Sequence, residues 1–100
     1  MPKIYEYLEF TFFLHPNDHL PLHCHVKSAG CESKVDISFE SGVVSEVSFV
    51  AIKGKTPIPQ KDRPKIKKFI ISYGSAIAFK WFQFSILKQP ITSEKITTRL

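Results

Sequence analysis

A chain of 100 residues is long enough for one domain with a modest core, and its 43% hydrophobic and 13% aromatic content excludes a disordered polymer. No apolar run approaches the ~18 residues of a membrane span, and two cysteines, Cys24 and Cys31, argue against a disulfide framework. The net charge of +5 is unevenly spread: residues 1–50 set three lysines against seven acids, and residues 51–100 set eleven basic residues against Asp62 and Glu94.

The chain opens Met1-Pro2-Lys3-Ile4 and enters a strand-like pattern at once, with no leader-like apolar region. A cytoplasmic protein without a membrane partner is the expectation. Ile4 to Tyr7 and Phe10 to His15 are rich in aromatic and β-branched residues and predict a hairpin, although its turn at Leu8-Glu9 lacks a glycine. Pro16-Asn17-Asp18 breaks the strand, Pro21 closes the loop, and Leu22 to Ser28 starts the next strand.

In that strand His23, His25 and Lys27 alternate with Leu22, Cys24 and Val26, so one face is apolar and the other presents histidines. In the segment that follows, Val35, Ile37 and Phe39 point one way while Glu32, Lys34, Asp36, Ser38 and Glu40 point the other. An even turn centred on Ala29-Gly30 keeps the two apolar faces in agreement. It sets Cys24 opposite Val35, His23 opposite Asp36, His25 opposite Lys34, and Lys27 opposite Glu32. Ser41-Gly42 turns into a further strand, Val43 to Ile52, with Val47 and Phe49 inward.

The stretch 53–59 is too rich in proline for regular structure. Beyond it Ile66, Phe69, Ile70 and Tyr73 follow helical spacing, with Lys61, Lys65, Lys67 and Lys68 largely off that stripe. Gly74 suits a helix C-terminus and Ser75 an N-cap, which predicts two helices over about 60–73 and 75–88. The fold expected is α+β: an antiparallel sheet of four or five strands over residues 4–52, then two helices packed on one face. Residues 1–88 would form a single domain and the polar stretch 89–100 a flexible tail.

The chemistry concentrates between His15 and His25, which hold all four histidines of the chain. Histidine moves protons near neutral pH and is the commonest metal ligand. His23 and His25, at i and i+2 on a strand, put both rings on one face with Cα atoms about 7 Å apart. With His19 from the loop they could hold one divalent metal ion, and Asp36 or Cys31 could complete the set. Without metal, Asp36 would fix the tautomer of His23, leaving His25 or His19 as a second proton carrier for cleaving RNA through its 2′-hydroxyl. Against both stands a structural role, in which the histidines bond loop carbonyls; for His15 that is the expected one. Cys24 reads as a core residue, Cys31 has no partner that would make it a nucleophile, and Trp81 reads as a core anchor.

Lys61, Arg63, Lys65, Lys67 and Lys68 face only Asp62 and form a block suited to phosphates, or simply a solvated helix face.

The run Asp18-His19-Leu20-Pro21-Leu22-His23-Cys24-His25-Val26 resembles the Asp-His-x-Pro-Pro-His-x-His-Val signature of a small bacterial family, domain of unknown function 4160. Its members begin Met-Pro-x-Ile, as here, carry an aromatic strand before the signature, and end in two helices with a tryptophan in the second, matching Trp81. The resemblance covers about residues 1–87 and departs at Leu22, where the family has a second proline. It implies an α+β fold and a cytoplasmic bacterial protein, with a small protein partner encoded nearby as in toxin–antitoxin pairs. No established activity comes with it.

Three functions therefore stand open. In the first, a toxin-like protein acts on RNA through His23, His25, His19 and Asp36, with the basic helix holding phosphates. In the second, a non-catalytic module binds protein or nucleic acid and uses its histidines structurally. In the third, a metal-dependent enzyme acts on a small molecule.

Overall fold

The computed structural model describes residues 2–15 and 22–100. His19 lies outside the described residues, and with it the third ligand of the expected metal set.

Strands β1 (Lys3–Tyr7) and β2 (Phe10–Phe13) form the first hairpin. Its turn lacks a glycine, and Leu8 takes a positive φ of 54°. Strands β3 (His23–Ser28) and β4 (Cys31–Glu40) are joined by Ala29-Gly30, with φ of +50° and +81°. Positive φ at both central residues suits the type I′ turn, whose twist matches that of the paired strands. The two-residue loop gives the expected register: His23 lies opposite Asp36, Cys24 opposite Val35, His25 opposite Lys34, and Lys27 opposite Glu32. Ser41-Gly42 repeats the positive-φ pair and leads into β5 (Val43–Ala51).

The sheet order is β5-β4-β3-β2-β1-β6, a six-stranded sheet in which the first five strands form an antiparallel meander. The sixth strand, β6 (Glu94–Ile96), pairs parallel to β1, so the sheet is mixed rather than wholly antiparallel. It arises from the stretch expected to be a flexible tail. Lys80, buried on the helix, donates from Nζ to the Thr92 carbonyl at 2.7 Å and pairs with Glu94 at 3.0 Å. The backbone N–H of Leu100 donates to the Tyr7 hydroxyl at 3.0 Å. The tail is docked because a buried ammonium must find oxygens, and the segment 92–94 supplies them.

A 3₁₀ turn, Gln60–Asp62, leads into α1 (Arg63–Ser85), one helical run where two were expected. The expected break survives as a kink, with Tyr73 at φ −110°, ψ 15°. Gly74 does not stop the helix. A Cβ there would collide with Cγ2 of Val44 on β5, so the glycine lets helix and sheet approach.

Helix and sheet meet through rings. Phe69 stacks on Tyr7, Phe12 and Tyr73 at centroid distances of 4.9, 4.7 and 4.6 Å, and meets Tyr5 edge-on at 5.4 Å. Such pairs add to the burial of each ring about 0.5–1.5 kcal/mol. Cys24, Val26, Val35 and Ile37 extend this core, and Trp81 belongs to it as expected. The connector is tied down where the N–H of Ile58 donates to Ser33 Oγ at 2.9 Å. Because α1 covers the apolar sheet face, the alternate residues of β3 and β4, including both strand histidines, point to the opposite side.

Candidate functional site on the histidine face

Three strands supply the face that α1 leaves uncovered. In the ladder Phe13 of β2 lies opposite His25, and Thr11 opposite Lys27; on the far side of β3 lie Glu32, Lys34 and Asp36. The rings of His23 and His25 have centroids 6.2 Å apart and tilt by 53°. His15, beyond the end of β2, stacks on His25 at 5.3 Å. Three of the four histidines thus gather on one patch, His15 with them.

The carboxylate that engages this patch is one the sequence reading assigned no role. Glu32 Oε2 lies 3.1 Å from His25 Nδ1, and both side chains are nearly buried, at 9% and 12% exposed. With Glu32 ionised, Nδ1 is the donor, so Nε2 of a neutral ring is left as the acceptor. Two lysines complete the surroundings of Glu32: Lys27 Nζ at 3.9 Å and Lys55 Nζ at 3.8 Å from Oε1. A carboxylate this buried needs such company, since an unpaired one would cost several kcal/mol, on the order of 3–5. Glu32 was within reach of sequence reasoning, because the register makes it the diagonal neighbour of His25. Lys55 was not, because its position depends on how the connector folds back: the N–H of Glu32 donates to the Thr56 carbonyl at 2.8 Å.

Asp36 lies opposite His23 and pairs with Lys34 Nζ at 4.0 Å. Among the described residues no three His, Cys, Asp or Glu side chains are grouped so as to hold a metal ion. Beside the Glu32 cluster a polar hollow of about 380 Å³ is lined by Glu9, Thr11, Lys27, Cys31, Glu32 and Lys55. It is open, its two lysines are matched by two carboxylates, and it adjoins the histidine patch through Glu32.

The basic block stands elsewhere. Lys61, Lys65, Lys67 and Lys68 are exposed on the helical layer, across the sheet from the histidines. Arg63 is committed internally, its Nε donating to the Ile58 carbonyl at 3.3 Å and its guanidinium lying 5.3 Å from the Phe49 ring centroid. The geometry brings His15, His23, His25 and Asp36 to one face and leaves the helical lysines on the other.

A small α+β protein with a histidine-bearing open sheet face is what these features define. The chain belongs to the family described as domain of unknown function 4160 (DUF4160), whose sequence profile matches residues 8–82. The match takes in the histidine stretch and α1 as far as Phe82, and stops short of β6. No curated protein and no solved structure matches the chain. Among the described residues no helix is long and apolar enough to cross a membrane.

Proposed function

We propose that the histidine face acts on RNA, cleaving the phosphodiester by proton transfer. His25, oriented by Glu32, takes the proton of a 2′-hydroxyl, whose oxygen forms a bond to phosphorus. The bond from phosphorus to the 5′ oxygen breaks, and His23, opposite Asp36 in the ladder, gives a proton to that oxygen. His19, four residues before His23 in the chain, assists. The product ends are a 2′,3′-cyclic phosphate and a 5′-hydroxyl. Positioned acid–base groups of this kind contribute about 10²- to 10⁴-fold each.

The observation that carries the reading is the bond from His25 Nδ1 to Glu32, which presets the tautomer needed for a base acting through Nε2. Phosphate would be held by Lys27 and Lys55 at the rim of the adjoining hollow, not by the helical lysines across the sheet. In this reading the protein is a toxin-like cytoplasmic factor held in check by a small protein partner.

A second reading has support of its own. The near-burial of His25 and Glu32 also suits an ion pair that stiffens the sheet of a non-catalytic binding module. Incubating tag-free protein with total RNA, with and without chelator, separates the two. Chelator-insensitive cleavage that falls at least ~100-fold in a folded His23→Ala/His25→Ala variant supports the nuclease. Cleavage abolished by chelator would assign the histidines to a metal. No cleavage under any condition leaves the binding module.

A further inference from the structure

The second half of α1 is apolar on its outer face as well as on the inner one, where Ile77 and Trp81 are buried. Between Phe69 and Leu87 the one charged residue is Lys80, and it points inward to Thr92 and Glu94. Large apolar side chains also point outward: Ile71 is 52% exposed, Phe79 62%, Phe82 43%, Ile86 56% and Leu87 47%. Ile71, Ser75, Phe79, Phe82 and Ile86 are spaced by 4, 4, 3 and 4 residues, and all are exposed, so they form a single stripe along the helix. Their exposed apolar area is about 500 Å² by the usual sizes of such side chains, at the upper end of what monomers leave in one patch, roughly 300–600 Å².

We propose that this stripe is a homodimer interface, covered by α1 of a second copy of the chain running antiparallel about a two-fold axis near Phe79. Two features favour a second copy over another occupant. The stripe is self-complementary in shape: reversed upon itself it sets Ile71 against Ile86, and small Ser75 against bulky Phe82. Finally, two such stripes bury about 1,000 Å², the threshold of a specific interface before the flanking Ala78 and Gln83 are counted.

The interface lies on the helical layer, so the histidine faces remain open on the two outer sides of the dimer. The inference does not depend on what those faces do.

Sedimentation equilibrium of the full chain tests it. A dimer dissociating at about 10 µM is expected, and Phe79→Glu, which sets two carboxylates together at the axis, should raise that value at least ~100-fold. The helical circular dichroism of the variant should be unchanged, because Phe79 is a surface residue. For orientation, in a Cys31→Ser background, Ile71→Cys and Ile86→Cys proteins should form a disulfide when mixed, and neither should do so alone. A wild-type chain that stays monomeric to about 1 mM, a dimer indifferent to Phe79→Glu, or self-linking of Ile71→Cys would each overturn the proposal. The first two would leave the stripe to a different protein or to a lipid surface.

Discussion

His25 donates from Nδ1 to Glu32 across the β3–β4 ladder, 3.1 Å away and almost out of contact with water. The bond is diagonal: the residue directly opposite His25 is Lys34. Glu32→Gln keeps the shape and an acceptor for Nδ1 but removes the charge that balances Lys27 and Lys55. A loss of about 10- to 100-fold in cleavage is expected from the weakened base. Glu32→Ala leaves the ring without its acceptor and two lysines without their counter-charge, and should cost about 3 kcal/mol in urea unfolding. Equal cleavage by wild type and Glu32→Gln would remove Glu32 from the chemistry.

Gly74 offers a test whose sign matters more than its size. In an ordinary helix interior, glycine to alanine stabilises by about 0.8–1.0 kcal/mol. Here the added methyl meets Val44 Cγ2, so Gly74→Ala should instead destabilise by about 1–3 kcal/mol. Adding Val44→Ala opens the space and should recover part of that loss. The double-mutant cycle, measured by denaturant unfolding, isolates the contact.

The ladder was legible because two local rules agreed. Alternation assigned the faces of β3 and β4, and Ala29-Gly30 could close an even loop, so the pairing of His23 with Asp36 followed without tertiary information. The partition of the polar groups was legible in principle but not drawn. Helix and sheet are both amphipathic and bury their apolar faces on each other, so the histidines on one and the lysines on the other must point apart. The sixth strand was not legible. Three residues, Glu94 to Ile96, carry no strand pattern, and they are held beside β1 by Lys80 and its oxygens, by the bond from Leu100 to Tyr7 and by the packing of Ile91, Ile96 and Leu100 on the core. Nor did the spacing of Gly74 and Ser75 distinguish a helix break from a close approach, since the same glycine serves both.

Lys80 is therefore expected to control the C-terminal segment. Its ammonium also lies 5.1 Å from the Tyr5 ring centroid, so one side chain joins α1, β1 and the approach to β6. Lys80→Met retains the aliphatic stem and removes three donors. Amide hydrogen exchange at residues 94–96 should then accelerate toward that of an unpaired chain, while exchange in β3 and β4 stays slow. Uniform acceleration across the sheet would mean that β6 is part of the global unfolding unit and not an independently docked strand.

Tyr5 links stability to alkaline pH. Burial, followed by the nearby Glu94 carboxylate and the Tyr73 hydroxyl, pushes its phenol up from 10.0 to about 12. The folded state thus keeps the Tyr5 proton where the unfolded chain releases it. The stability this contributes is fully present below pH 10 and is lost as pH rises toward about 12. Tyr5→Phe removes the ionisation while keeping the ring against Phe69 and Tyr73. Between pH 9 and pH 12, approximately the span that brackets the shift, the unfolding free energy of wild type should fall more steeply than that of Tyr5→Phe. Parallel curves for the two proteins would show that the phenol titrates alike in both states and that its burial carries no linkage.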